Sequence, residues 1–238
     1  MNVAIILAGG SGTRVGADVP KQFVTVLGKP VLAYTIEIFE EHPEIDAIEI
    51  GCHCDWVDFT NDLVKSNHYK KVKWIVNGGD TFQQTVINCV NNLRNILHDD
   101  DYAMIQYGAS PFTKQKIVSE GLRVAKEKGM SFAATPCFQL MGSRDGEGIS
   151  NNWIDRDKFV QVACPQTYKF GFLKQIYDEA EKRGLLSKIE PHTTSLMYAL
   201  GYPLYESYSD QTNIKITTKE DLEIFEGWIL YQKRKADK

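Results

Sequence analysis

Apolar residues in the first half of the chain fall into short runs separated by stretches of helical spacing. Val3 to Leu7, Ala47 to Cys52, Val72 to Val76, Ala103 to Gln106 and Phe132 to Thr135 are short, apolar and rich in β-branched residues, and read as strands. Between them, Val31, Tyr34, Ile38 and Phe39 recur at helical spacing within Val31 to Glu41, as do Val86, Val90, Leu93 and Leu97 within Thr81 to Leu97. Strands alternating with helices predict right-handed crossovers and a mostly parallel α/β sheet. Ligands of such sheets bind outside the carboxyl ends of the strands, so the loops after those ends are the places to search.

From Gln139 to Asp157 the periodicity fails, and Gly142, Gly146, Gly148 and the pair Asn151-Asn152 mark a protruding arm or hairpin. Helices resume at Phe170 to Arg183, Thr193 to Leu200 and from about Lys219, with a strand around Leu204 to Ser207 and a polar, frayed tail from Lys233 to Lys238. With no internal repeat and no linker, the 238 residues read as a single domain, 1–238, with its arm at 139–157.

Composition narrows the function. Twenty-seven Lys and Arg against 31 Asp and Glu leave a net charge of −4, without the basic excess of a nucleic-acid binder. No apolar run reaches the roughly 18 residues of a membrane span, so no membrane role is expected. Five scattered cysteines suit a reducing cytoplasm. Cys52-His53-Cys54 lacks a second ligand pair, and alternate strand residues face opposite ways, which argues against zinc.

The richest segment follows the first strand: Leu7-Ala8-Gly9-Gly10-Ser11-Gly12-Thr13-Arg14, then Pro20-Lys21-Gln22-Phe23. Glycines there let backbone N–H groups turn toward an anion, and Arg14 and Lys21 add charge, as a triphosphate requires. The spacing is not that of a P-loop, and Val15 stands where a dinucleotide fingerprint needs its third glycine, which disfavours a nicotinamide-dependent oxidoreductase.

These blocks, with Gly28-Lys29-Pro30-Val31-Leu32, Gly78-Gly79-Asp80, Thr85-Val86, Asp155-Arg156, Pro165-Gln166-Thr167 and Asn213-Ile214-Lys215-Ile216-Thr217-Thr218, resemble the ribitol-5-phosphate and 2-C-methyl-D-erythritol 4-phosphate cytidylyltransferase family. His53-Cys54-Asp55-Trp56-Val57 is similar to the ribitol-5-phosphate branch. The resemblance implies a three-layer α/β/α Rossmann-like nucleotidyltransferase fold, mostly parallel, with a protruding β-arm. It implies transfer of CMP from CTP to a sugar-alcohol phosphate with Mg²⁺ as cofactor, in a cytoplasmic homodimer joined through the arm. Carried over by residue, Arg14, Lys21 and Lys215 are catalytic. Leu7, Ala8, Gly9, Gly10, Gly12, Thr13, Gly79, Asp80 and Thr85 line the nucleotide. Arg156 and Thr193 bind the acceptor.

Read from the residues alone, Lys215 alternates with apolar neighbours like a strand's solvent-facing charge, Asp80 suits a helix cap, and Arg156 suits a surface ion pair. The chain also departs from the family pattern. Tyr107 stands in the position of a Mg²⁺-holding Asp, Ser110 and Phe82 in positions of Arg, Ala163-Cys164 for Gln-Thr, and Thr194 for Asp. A tyrosine is a poor ligand for a hard cation. Two readings stay open: an enzyme whose metal is held mainly by the triphosphate and water, and a non-catalytic nucleotide-binding relative acting as a partner or regulator.

Overall fold

β1 (Asn2–Ala8) is buried along nearly its whole length, and its alternation explains the layers on either side. Val3, Ile5 and Leu7 point into one apolar cluster, and Ala4, Ile6 and Ala8 into another. This computed structural model describes residues 1–10, 16, 18–190 and 192–237. Gly12, Thr13 and Arg14 lie outside the described residues.

After β1 the chain forms a two-stranded ribbon, β2 (Thr25–Val26) and β3 (Lys29–Pro30). Its corner, Leu27-Gly28, has positive φ at both residues (49° and 83°), the backbone that lets a tight hairpin follow the strand twist. Then come α1 (Val31–Glu40), β4 (Ala47–Cys52), α2 (Val57–Ser66), β5 (Val72–Asn77), α3 (Phe82–Leu93) and β6 (Tyr102–Tyr107). The second half holds α4 (Gln115–Lys128), β7 (Met130–Pro136), β8 (Met141–Gly142), β9 (Trp153–Ile154), β10 (Val160–Lys169), α5 (Phe170–Lys182), α6 (Thr193–Leu200), β11 (Glu206–Tyr208) and α7 (Lys219–Ala236).

Among the described residues the central sheet has seven strands in the order β5-β4-β1-β6-β10-β7-β11. All neighbours are parallel except β10, which runs antiparallel to both β6 and β7. The chain moves outward from β1 to β4 and β5, then returns past β1 to β6. That reversal opens a crevice at the carboxyl ends of β1 and β6.

One face of the sheet packs on α3, α5 and α6 through Val86, Val90, Leu173, Ile176, Leu196 and Met197. The other packs on α1, α2 and α4 through Ile36, Phe39, Leu63, Val118 and Leu122. α7 lies apart, with Phe225 and Ile229 closing a smaller cluster over Val26, Phe112 and Ile216. Its start is a capping box: Thr218 accepts from Asp221 N, and Asp221 accepts from the main chain of Thr217 and Thr218.

The mostly parallel α/β/α architecture agrees with expectation, and the arm contains the β8–β9 pair. Five elements are additional, among them the β2–β3 ribbon. α2 and α4 are amphipathic helices, and β10 is a strand whose register shifts between Ala163 and Gln166. The frayed tail is corrected, because α7 continues to Ala236, with Lys233, Arg234 and Lys235 in its last turn opposing the helix dipole.

A carboxyl is buried in this core. Glu49 of β4 is fully enclosed, with Asn92 Nδ2 donating to Oε1 at 2.7 Å and the buried Cys89 thiol beside the carboxyl. Burial lifts its pKa from 4.5 to about 8. Between those values the native state holds a proton that the unfolded chain has released, so this residue's stabilising contribution is complete below pH 4.5 and is lost as pH rises through about 8. Glu49→Gln is expected to flatten that fall and to exceed the parent in stability above pH 8, as urea unfolding across the range would record.

Candidate active site

Loops after β1, β4, β5 and β6 meet around a cleft of about 620 Å³ at the crevice. Its floor is built on Thr85, in the first turn of α3. Thr85 Oγ1 accepts from Gly79 N at 3.0 Å and donates to Thr81 O at 3.1 Å, pinning the loop that follows β5. Glycines crowd against it. A Cβ on Gly9 would lie 2.8 Å from Thr85 Oγ1, one on Gly51 2.7 Å from Thr85 Cγ2, and one on Gly78 3.2 Å from Oγ1. At Gly79 a Cβ would overlap Gln84.

Gln22 ties down the loop after β1. Its buried Nε2 donates to Ala8 O (2.8 Å) and Gly10 O (2.7 Å), holding the glycine turn beneath Lys21. Lys21 Nζ donates to Ile216 O at 2.7 Å, which brings the neighbouring Lys215 to the same cleft. The segment carrying Lys215 is fixed from below. Gln106 Nε2 donates to Thr113 Oγ1 (2.9 Å), Thr113 donates to Asn213 Oδ1 (2.8 Å), and Asn213 Nδ2 donates to Cys164 O (2.8 Å). Ile216 N donates to Ala109 O at 2.8 Å, completing the attachment to the end of β6.

The wall beside Lys215 is aromatic. Phe82, Tyr107 and His192 meet edge to face, with centroids 5.5 Å (Phe82–Tyr107), 5.0 Å (Phe82–His192) and 6.0 Å (Tyr107–His192) apart. Lys215 Nζ stands 4.2 Å from the Tyr107 ring centre, a cation–π contact. Tyr107 Oη and His192 Nδ1 are hydrogen-bonded at 3.1 Å. Burial holds the phenol protonated, far above its ordinary range, with nearby Cys164 adding to the effect. Burial and then Lys215 depress the His192 pKa, and burial pushes the Cys164 thiol up to about 12.

This end of β6 does not fit a Mg²⁺ ion. A neutral phenol bonded to an imidazole and capped by an ammonium offers none of the carboxylate oxygens that Mg²⁺ favours. Among the described residues, Asp80 is the one carboxylate lining the cleft. His53, Cys54 and Asp55 cluster within 4.8 Å, but His53 Nδ1 accepts from Asp55 N, and thiol and imidazole suit softer ions.

Similarity to known proteins accords with this geometry. The sequence profile of the 2-C-methyl-D-erythritol 4-phosphate cytidylyltransferase (IspD) family matches residues 2–231. The chain belongs to this cytidylyltransferase family. It is 34% identical over 229 residues to the ribitol-5-phosphate cytidylyltransferase of Lacticaseibacillus paracasei, covering 96% of this chain and 98% of that protein. With the 2-C-methyl-D-erythritol 4-phosphate cytidylyltransferase of Clostridium tetani it shares 32% over 228 residues, 96% of this chain and 90% of the other. The crystal structure of the Francisella tularensis 2-C-methyl-D-erythritol 4-phosphate cytidylyltransferase shares the fold, with a TM-score of 0.78 at 24% identity over 96% of this chain and 99% of that one.

Against the family pattern, the expected cleft residues divide. Leu7, Gly9, Gly10, Lys21, Gly79, Asp80, Thr85 and Lys215 line one cavity, with Ala8 buried at the end of β1 behind them. Arg156 sits on the arm, donating to Phe138 O, and Thr193 is fully buried, sharing a 2.8 Å hydrogen bond with Tyr177 Oη. The departures Phe82, Tyr107 and Cys164 adjoin one another, whereas Ser110 and Thr194 are buried. Sequence reasoning missed His192 and the bracing role of Gln22. The only signal for His192 was an imidazole just before a predicted helix, whereas Gln22 lay inside the quoted Pro-Lys-Gln-Phe block. Gly9→Ala is expected to cost about 1–3 kcal/mol of stability, and clearly less on a Thr85→Ala background, in a double-mutant cycle read by urea unfolding.

Proposed function

We propose that this protein transfers CMP from CTP to a sugar-alcohol phosphate, ribitol 5-phosphate before 2-C-methyl-D-erythritol 4-phosphate, releasing pyrophosphate. The observation that carries the reading is the Lys21–Ile216 bond, which draws Lys21 and Lys215 from opposite ends of the chain to one glycine-floored cleft.

The acceptor phosphate is its own nucleophile, since a phosphate monoester has its second pKa near about 6 and is largely dianionic at neutral pH. One of its oxygens forms a bond to the α-phosphorus, the bond from that phosphorus to the bridging oxygen breaks, and pyrophosphate leaves with the electron pair. No general base is required. The protein's task is alignment and charge placement. Lys21 and Arg14 are assigned to the triphosphate, Lys215 to charge at the α-phosphate, and Leu7 to Thr13 with Gly79, Asp80 and Thr85 to holding the nucleotide. No step is assigned to Mg²⁺, because the end of β6 supplies no ligand for it.

The arm supports a homodimer. Its ribbon has no core of its own, yet Phe138, Leu140, Ile149, Trp153 and Phe159 are exposed, Leu140 by 73% and Trp153 by 68%. Arg156 at its foot then reaches a neighbour's cleft, where a guanidinium suits the acceptor phosphate. Cys52, Cys89, Cys137 and Cys164 are buried thiols and Cys54 an exposed one, which supports a cytoplasmic site. Among the described residues no helix is long and apolar enough to cross a membrane.

Pyrophosphate release from CTP with a panel of polyol phosphates tests the reading. Turnover with one acceptor, reduced about 10²–10³-fold in Lys21→Ala and in Lys215→Ala, is the expected result. CTP binding without turnover across the panel would favour the non-catalytic relative, a reading that the replaced Phe82 and Tyr107 positions motivate. For the shared site, mixing Lys21→Ala with Arg156→Ala protein is expected to restore about a quarter of parental activity, because half of randomly paired dimers then hold one intact site.

A further inference from the structure

The aromatic wall has a directional feature that the cleft's other residues do not explain. Two groups flank the ring nitrogens of His192. On one side Nδ1 faces the Tyr107 hydroxyl at 3.1 Å, and on the other Nε2 lies 3.5 Å from Glu190 Oε1. The phenol, which burial keeps protonated and which shares a second hydrogen bond with the Cys164 thiol, donates to Nδ1, and the exposed Glu190 carboxylate in ion-pair range of Nε2 favours the hydrogen there. The imidazole is thereby held as the tautomer with Nε2–H, at the edge of the cleft it shares with Lys215. Phe82 packs on its ring at 5.0 Å and restricts its rotation.

We propose that Tyr107 and His192 stand in for a protein-held divalent cation, Tyr107 orienting the imidazole and His192 Nε2–H exchanging the exposed Glu190 carboxylate for the phosphate chain of the bound nucleotide. The inference rests on the CTP reading above. An ammonium over the ring of Tyr107 occupies ground where a cation ligand would have to be negative, so a metal cannot be added to this wall without displacing Lys215. Positive charge and one N–H donor serve the same electrostatic purpose: both make the potential at the phosphate oxygens more positive and so stabilise their charge without a bound ion. Tyr107 is then a positioning residue, and His192 the group that touches the nucleotide.

The test is CTP affinity by titration calorimetry, with no acceptor present, in EDTA and in excess magnesium. The expected result is agreement of the two dissociation constants within about threefold. His192→Ala is expected to weaken binding about tenfold in both conditions, and Tyr107→Asp to create a preference for magnesium of about tenfold or more. Nitrogen-15 spectra of the histidines supply a readout that a merely structural role would not move: His192 in the parent shows the Nε2–H tautomer, and Tyr107→Phe shows a mixture. CTP bound at least tenfold more tightly with magnesium in the parent, or unaffected by His192→Ala, would overturn the inference while leaving the nucleotide reading in place. Absence of CTP binding in both conditions would overturn the reading and the inference with it.

Discussion

The cleft depends on how closely main chain can approach the side chain of Thr85. One hydroxyl receives the Gly79 N–H and reaches Thr81 O, while the backbone at Gly9 and Gly51 closes around the same residue to distances below those of a normal Cβ contact, and that at Gly78 nearly so. Those glycines belong to β4 and to the loops after β1 and β5. Three neighbouring strand ends are therefore gathered around one threonine on α3, and the crevice created by the sheet's reversal becomes a shaped floor rather than a gap.

On that floor the charge is asymmetric. Lys21 and Lys215 converge through a side chain bonded to the main chain of the opposite segment, and that segment is fixed through Asn213, Thr113 and Gln106. The anchors are amides and hydroxyls, which hold position at any physiological pH. Tyr107, Phe82 and His192 add an aromatic wall, with the exposed Glu190 beside its His192 edge. Such a surface suits a polyanion and needs little rearrangement as charge builds during reaction. Glu49 is buried outside the cleft lining, where burial favours its neutral form.

Much of this was legible in the chain itself because the responsible patterns are local. β1 alternates two cores within seven residues, and the glycine loop with Pro20-Lys21-Gln22 is contiguous. The rest depends on distant partners. β10 carries Gln161, Pro165, Gln166 and Thr167, and only its pairing with β6 and β7 makes such a polar stretch a strand. Lys215 alternates with apolar residues as a strand would, yet it belongs to an irregular segment whose shape comes from Ala109, Thr113 and Cys164. Tyr107 was visible as a departure, but its meaning came from His192, 85 residues away. α7 outlasts its predicted end because basic residues suit a helix carboxyl terminus, a favourable placement mistaken for a mere polar tail.

The bond between Lys21 and the carbonyl of Ile216 spans 195 positions of the chain. During synthesis, β1, β4, β5 and β6 can pair and bury their apolar faces long before the ribosome has delivered that carbonyl. The emerging protein thus passes through a stage with a formed sheet and an unfinished pocket. Its capacity to hold an anion arrives late, when the segment carrying Lys215 and Ile216 folds back across the sheet.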